Sequence, residues 1–494
     1  MTDPLLAQIT AQKQHFNQDP DPPFSTRQRH LAWLRAVLED NEAEWIAAVQ
    51  QDFGHRCATE TKLLELFPIY ESIGHAQRHL KRWMRGQRRS VSVWFWPSSA
   101  YLWPQPLGVI GIVSTWNYPL VTVFMPLIAA LAAGNRVMIK PSEHAPRTGN
   151  LLKKKLEAIF KSALMHDQPP PVSVILGDRR VGQAFVALPF DHLIFTGSTA
   201  VGRQVMASAS QNLVPVTLEL GGCSPVVITP EILADPHQRR CAIRKLWIAK
   251  MMNAGQTCVA PNHVFIPEQY LDDFVACSRA ILAEALCDTA DPAYTSVIHS
   301  RHYEYLRNLL NDAIAQGATW IPLSTPAFLE MDGIYKISPG IVLNVRSEMK
   351  IMQVEIFGPL LPVLCYSADQ WMGVLRQIQA GPRPLALYLL TQNKAIREAF
   401  MRQTHAGGVT VNQLLLHVAQ EDLPFGGVGA SGMGRYHGVF GFKTCSYEKP
   451  VYIQSRWDVF AWFYPPRGRL KQWILKVMLK GFRGLWGRRE EKRR

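Results

Sequence analysis

Apolar positions along this chain follow first a helical rhythm and then a short strand rhythm. Leu31, Leu34 and Leu38 recur at helical spacing, and Asn41 stands where it can cap a second helix carrying Trp45, Ile46 and Val49. Between Ser90 and Trp103 the period changes. Val91, Val93 and Phe95, followed by Pro97, predict an extended aromatic hairpin of the kind found at a sheet edge or a subunit contact. From Leu107 onward, short apolar runs alternate with helical ones. Residues 109–113, 137–139, 172–176 and 192–195 read as buried strands. Residues 126–133, closed by Gly134, and residues 148–164 read as helices. Strands alternating with helices imply parallel βαβ units and an open α/β sheet, which binds ligands at the carboxyl ends of its strands.

Composition narrows the class. The chain has 494 residues, enough for two to four domains, and 47% apolar with 19% charged residues fits a folded chain with a sizeable core. No apolar run reaches the ~18 residues a membrane span needs. The opening Met1-Thr2-Asp3-Pro4 lacks the pattern of a secretory signal. Eight cysteines without a CxxC pair argue against a zinc site, so no metal is expected. They suggest free thiols in a reducing cytosol, most of them inert core residues. The net charge of +14 is concentrated at one end: residues 456–494 hold 12 basic and 3 acidic side chains. In that tail Leu470, Trp473, Ile474, Val477, Met478, Phe482, Leu485 and Trp486 share one helical face. Lys471, Lys476, Lys480 and Arg483 lie largely off it, and five more cations follow from Arg488 to Arg494. This is the pattern of a helix lying in an anionic membrane surface, and the alternative is packing on protein. No recognised nucleic-acid motif accompanies the basic tail, so nucleic acid is not expected as a partner.

Four polar segments carry candidate chemistry. Gly197 to Gly202 joins a strand to a helix, where glycines let backbone approach a pyrophosphate; a plain βα turn reads equally well, since the spacing is not GxGxxG. Lys140 and Glu143 follow another strand and can clamp ribose hydroxyls or simply pair with each other. Asn253-Ala254-Gly255-Gln256-Thr257-Cys258 offers a cysteine on a polar, glycine-containing loop, the local setting of a thiolate nucleophile. Glu219 stands between two leucines, where burial raises a carboxyl toward a general base unless an ion pair neutralises it.

Together these segments resemble the aldehyde dehydrogenase superfamily from about Arg27 to Pro450. The motifs stand in the family's order. Pro106-Leu107-Gly108-Val109-Ile110 leads into Trp116-Asn117-Tyr118-Pro119, followed by Lys140-Pro141-Ser142-Glu143 and Phe195-Thr196-Gly197-Ser198. Leu218-Glu219-Leu220-Gly221-Gly222, Gly255-Gln256-Thr257-Cys258, Glu355-Ile356-Phe357-Gly358-Pro359 and Pro424-Phe425-Gly426-Gly427 complete the set. Arg383-Pro384-Leu385-Ala386-Leu387-Tyr388 and the run Leu415-Leu416-His417-Val418-Ala419-Gln420 look like the class-3-like branch. Gln256 to Pro261 and Gly429 to Gly434 are similar to its bacterial coniferyl-aldehyde dehydrogenases.

The resemblance implies an α/β fold with a Rossmann-like dinucleotide-binding domain (1–217, of which 89–105 joins an oligomerisation arm). A catalytic domain (218–411), a return segment to the cofactor domain and arm (412–456) and a basic amphipathic tail (457–494) follow. It implies NAD or NADP as cofactor, with Glu143 leaning toward NAD because a carboxylate repels a 2′-phosphate. Cys258 matches the nucleophile, Glu219 the general base, and Asn117 an oxyanion donor acting with the Cys258 N–H. Trp116, Lys140, Glu143, Gly197, Ser198, Gly202, Glu355 and Phe357 match the cofactor contacts. Cys223 stands where many relatives have lysine, with little catalytic effect expected, and His417 is expected to pack structurally. The implied substrate is an aromatic, coniferyl-type aldehyde, with a medium- or long-chain fatty aldehyde as runner-up. A non-catalytic, membrane-associated binding protein on the same fold is the rival from another class. A cytoplasmic homodimer, peripheral at the inner membrane face through 468–494, completes the expectation.

Overall fold

The computed structural model describes residues 2–162, 170–458, 464–465 and 468–490. The chain forms two compact units, residues 1–83 with 106–446, and residues 84–105 with 447–494. The first contains two mainly parallel sheets.

The six-stranded sheet runs in the order Gly432–Met433, Val216–Leu220, His192–Gly197, Val109–Val113, Arg136–Lys140, Val172–Val174, all parallel except the antiparallel edge strand Gly432–Met433. The expected open α/β sheet is therefore present. Its strands are near-continuous apolar runs because helices cover both faces. The chain builds outward from Val109–Val113 on one side, then crosses to His192–Gly197 on the other, so strand order reverses beside Val109–Val113. A ligand crevice is expected at such a reversal, beyond the carboxyl ends. In register, Val113 lies beside Lys140 and Phe195, and Thr196 beside Glu219. The polar motifs thus leave the sheet at one end. The seven-stranded sheet has the order Thr319–Pro322, Gly340–Leu343, Leu360–Tyr366, His263–Pro267, Pro225–Ile228, Ala386–Leu390, Gly408–Val411, with only its first pair antiparallel.

Several boundaries differ from the sequence reading. Helix Val121–Ala133 begins five residues earlier than expected and carries Pro126 in its interior. Its start is set from outside: Glu65 Oε2 accepts the N–H groups of Leu120 (2.7 Å) and Val121 (3.2 Å). Gly134 closes it at φ +94°, as expected of a left-handed C-cap. Leu31, Leu34 and Leu38 are buried on helix Phe24–Glu39, and Trp45 and Val49 on Glu42–Asp52. Asn41 precedes the second helix without capping it, because its side chain donates to Val37 O at 2.8 Å instead. Helix Pro146–Ser162 starts close to the expected position, and the end expected at 163–164 lies outside the described residues. All eight cysteines are free, as expected, but most are not core residues: only Cys445 is buried, and Cys241, Cys287 and Cys365 are exposed. Sequence alone does not say which face of an element a small thiol occupies.

The second unit is a three-stranded antiparallel-edged sheet and a helix. Gln87–Arg89 pairs antiparallel with Ser99–Pro106, and Ser446–Ile453 lies on the other side of Ser99–Pro106. The expected hairpin is present, but Val93–Phe95 forms a 3₁₀ turn within it rather than strand. Helix Arg469–Glu490 leaves Leu470, Trp473, Leu475, Val477 and Leu479 exposed, while Ile474 and Met478 are half-buried. The rest of the expected tail face (Phe482, Leu485, Trp486), with Lys480, Arg483 and the cations from Arg488 to Arg494, lies outside the described side chains. Among the described residues no helix is long and apolar enough to cross a membrane.

Candidate active site

Strand Val109–Val113 ends in the turn that holds Trp116 and Asn117. Asn117 is buried, its Nδ2 donates to Gln256 O at 3.0 Å, and its Oδ1 has no partner. An amide carries two N–H bonds, so one remains for another acceptor. Gln256 belongs to the loop that follows helix Pro236–Met251. There Asn253 and Ala254 take φ +52° and +51°, an uncommon conformation for residues with a Cβ. Gly255 has φ +76°, and a Cβ on it would lie 2.3 Å from Gly358 O, so the loop admits only glycine there. Fixed side chains hold the loop in this shape. Gln256 Nε2 donates to Asn253 O and Ser296 O, both at 2.9 Å, while Gln256 Oε1 accepts from Ile298 N at 3.0 Å. Lys250 Nζ donates to Pro261 O at 2.8 Å, and Glu60 Oε1 accepts Asn253 N at 2.5 Å. The loop ends at Cys258, half-buried against the apolar core.

Glu219 is buried on strand Val216–Leu220, and neither carboxyl oxygen has a hydrogen-bond partner. Burial pushes it well above the ordinary carboxyl range. It is therefore not the ion-paired glutamate that was its ordinary alternative. Glu355 comes from the loop after helix Lys350–Gln353: its carboxylate occupies the space that a side chain on Gly221 would fill, and Oε1 has no partner. Burial pushes Glu355 up to about 8, opposed by the Gly222 N–H and Lys250. Both carboxyls lie within electrostatic reach of Cys258. Burial first, then Glu355 and Glu219, push the Cys258 thiol up to about 12. The polar local sequence had suggested a thiolate-favouring setting, but the folded surroundings are apolar and carry carboxylates. Cys223 is likewise raised to about 12, by burial and Glu355.

The sign gives a test. A thiol raised to about 12 is neutral across the neutral range, so alkylation of Cys258 by iodoacetamide should keep rising from pH 7 to 9, by less than about tenfold per unit because Glu355, at about 8, ionises in the same window and holds the thiol up. Peptide mapping separates Cys258 from the exposed cysteines, and a plateau below pH 9 would contradict the raised thiol.

The remaining motif residues ring the carboxyl ends of the first sheet. Lys140 Nζ is buried, donating to Pro141 O at 2.8 Å and lying 3.5 Å from Glu143, which is exposed. Ser198 caps helix Thr199–Ala209 and accepts Val201 N at 3.4 Å, so the first turn of that helix faces outward with its positive dipole end. Gly202 lets the helix pack on the sheet: a Cβ there would meet Leu220 at 2.6 Å. Trp116 and Phe357 approach edge to face at 5.4 Å, and Phe357 itself has φ +56°. Sequence reading missed His302, whose Nε2 is 2.8 Å from Phe357 O and whose ring lies 5.7 Å from Trp116. It also missed Arg56, Glu60, Glu65 and Lys250. Leu64-Glu65-Leu66 carried the same signal as Glu219, a carboxylate between two leucines. His417 packs as expected, its Nδ1 2.8 Å from the Thr410 hydroxyl, and burial pulls it down to about 4.

Among the described residues no group of histidine, cysteine and carboxylate side chains could hold a metal ion. The Ser198-capped start of helix Thr199–Ala209, the buried Lys140 and the unpartnered Glu355 oxygen are compatible with a dinucleotide. The profile of the Aldehyde dehydrogenase family matches residues 6–451. The chain is 42% identical to a probable coniferyl aldehyde dehydrogenase of Pseudomonas aeruginosa, over 96% of each chain. Its fold is similar to the substrate-bound state of Staphylococcus aureus AldH, with a TM-score of 0.85 and 32% identity over 96% of this chain and 99% of that one. It is also similar in fold to the P. syringae indole-3-acetaldehyde dehydrogenase AldA in complex with NAD+ and IAA, with a TM-score of 0.81 and 22% identity over 92% and 89%. On the match of residues 6–451 and on that identity across nearly the whole of both chains, the protein belongs to the aldehyde dehydrogenase family, oxidoreductases that act on aldehydes.

Proposed function

We propose that this protein oxidises an aldehyde to its carboxylic acid through covalent intermediates on Cys258, with NAD or NADP as hydride acceptor. The observation that carries the reading is the meeting of a buried, unpaired Glu219, the Asn117 amide and Cys258 at the carboxyl ends of one sheet. The Cys258 thiol gives up its proton to water, the resulting thiolate Sγ bonds to the aldehyde carbon as the C=O π bond opens, and negative charge grows on the aldehyde oxygen. The free Asn117 N–H and the Cys258 N–H stabilise that charge, because fixed dipoles in a dry site need no reorganisation. A nicotinamide, when bound, takes the hydride. A thioester then remains on Cys258. Glu219, a strong proton acceptor because burial disfavours its charge, takes a proton from water as the water oxygen attacks the thioester carbon. The C–S bond breaks, the sulfur leaves as thiolate and takes up the proton held by Glu219, and the carboxylic acid departs.

For the cofactor, Trp116, Lys140, Glu143, Gly197, Ser198, Gly202, Glu355 and Phe357 are the contacts. The helix that begins at Thr199 receives the pyrophosphate, Lys140 and Glu143 the adenosine ribose, and Glu355 and Phe357 the nicotinamide side. We assign residues 1–217 to cofactor binding and 218–411 to catalysis. The strands around 89–105 and 412–456 form an arm through which two copies pair. The favoured substrate is an aromatic, coniferyl-type aldehyde, on the strength of the Pseudomonas aeruginosa relative. The test is formation of NADH and NADPH by purified protein over a panel of aldehydes. Aromatic aldehydes should give the highest kcat/KM, and no turnover with any aldehyde would end the proposal.

A second reading of the substrate, a medium- or long-chain fatty aldehyde met at a membrane surface, has one observation in its favour. The helix Arg469–Glu490 exposes Leu470 and Trp473, 61% and 62% accessible, beside lysines. Apolar side chains with tryptophan and cations suit an anionic headgroup boundary. Vesicles containing acidic lipid should sediment the full chain and leave a chain ending at Ser455 in solution. Equal behaviour of the two at moderate salt would return the tail to protein packing.

A further inference from the structure

The turn Asn117-Tyr118-Pro119-Leu120 leads directly into helix Val121–Ala133, and Leu120 gives that helix no side-chain cap. One ion pair from elsewhere in the chain grips the turn at both ends. Glu65 Oε2 accepts the N–H groups of Leu120 and Val121, and Oε1 lies 2.8 Å from Arg56 Nη1. The same Nη1 reaches Asn117 O at 3.4 Å, and the guanidinium stands 5.0 Å from the centre of the Tyr118 ring. Both side chains are fully buried. Glu65 sits in the single π-helical turn Lys62–Leu66, a rare local geometry found mostly at functional sites.

The turn in its turn touches the nucleophile loop by three bonds. Asn117 Nδ2 donates to Gln256 O at 3.0 Å, Asn253 Nδ2 donates to Asn117 O at 2.9 Å, and the Tyr118 and Thr257 hydroxyls are 2.7 Å apart. Thr257 immediately precedes Cys258.

Stability is a poor explanation for this pair. Taking two charges out of water costs about what their attraction returns, and apolar residues of similar volume often do as well. Burial pushes the Glu65 carboxyl upward against the pull of Arg56 and the two helix N–H groups. Arg56 also keeps Nε and Nη2 buried without partners, which is a further cost. What apolar residues cannot supply is direction. A guanidinium and a two-oxygen acceptor fix three backbone groups and a ring at once. We infer that Arg56 and Glu65 are positioning residues, holding the Asn117 amide in register with Cys258 so that both meet the aldehyde oxygen. This rests on the roles proposed above for Asn117 and Cys258.

The test is a double-mutant cycle on the full chain, read as the pre-steady-state burst of reduced cofactor. Arg56→Met with Glu65→Leu keeps the volume and removes the charges. It should melt cooperatively yet lower the burst rate about 10–100-fold, the cost of a misplaced reacting group. Alkylation of Cys258, which uses no oxyanion donor, should change by less than about threefold. Asn117→Ala alone should cost roughly 10²–10³-fold, and the pair change added to it should cost less than about threefold more. A purely structural pair would lower the rate equally in both backgrounds, and that result would overturn the inference, as would a full burst in the pair variant. If the double variant does not fold, Arg56→Lys, which keeps the charge but sets its nitrogen about one bond short of Nη1 and so of its two acceptors, enters the same cycle with the same criterion. An Asn117→Ala burst within about threefold of the parent would instead overturn the role of Asn117, and this inference with it.

Discussion

Cys258→Ala is expected to remove aldehyde oxidation altogether, a loss on the order of 10⁴-fold or more, while the cofactor still binds. The sulfur is the only atom removed, and the loop that carries it is held by contacts that do not involve it. Gln256 is bonded to Asn253, Ser296 and Ile298, Lys250 to Pro261, and Glu60 to Asn253. The contacts proposed for the cofactor at Lys140, Ser198 and Gly202 lie on other elements. Cofactor affinity, followed by quenching of tryptophan fluorescence, should therefore stay within about threefold of the parent, since distant sites act independently. Steady turnover in this variant would remove Cys258 from the chemistry. A joint loss of turnover and cofactor binding would point to a collapsed loop, and circular dichroism with a melting curve distinguishes that outcome.

Glu219→Gln separates the two halves of the reaction. Without a base, the thioester waits for unactivated water, so a burst of reduced cofactor should be followed by turnover slowed about 10²–10⁴-fold. The burst itself should fall by less than about tenfold, because the oxyanion donors and the sulfur remain. The charge balance gives an independent check. Glu219 is one of the groups that raise the Cys258 thiol. Wherever Glu219 is ionised, replacing it by a neutral amide lowers the thiol, and where it is protonated the replacement changes no charge, so alkylation of Cys258 should stay as fast or become faster. If Glu219 served mainly to deprotonate the sulfur, alkylation would slow and the burst would vanish with the steady rate.

Legibility followed range. Periodicity alone located the strands Val109–Val113, Arg136–Lys140 and His192–Gly197 to within two residues, because a buried parallel strand is an uninterrupted apolar run. Helix Val121–Ala133 was misplaced at its start because Glu65, more than fifty residues earlier, supplies the cap. Asn41 was read as a cap on residue type, yet its side chain turned to Val37. The cysteines were read as core on base rates, and three of them are exposed.

The candidate site divides in the same way. Residue identity and motif order named Cys258, Glu219, Asn117 and the cofactor contacts, since each motif is a local string whose chemistry is written in its side chains. The electrostatic state of those groups came only with the fold. A polar loop sequence suggests a favoured thiolate at Cys258, but its neighbours in space are an apolar core and two carboxyl groups brought from a strand and a loop distant in sequence. Glu219 was open between base and ion-pair partner until packing left both its oxygens without a partner. Arg56 carries no motif and Glu65 only the pattern of a carboxylate between two leucines, and their grip on the Asn117 turn exists only where distant segments meet. Short-range patterning, turn chemistry and side-chain identity belong to the sequence by itself. Burial, and with it the cost of each charge and the direction of each donor, depends on contacts between residues far apart in the chain, and the tertiary structure alone decided those.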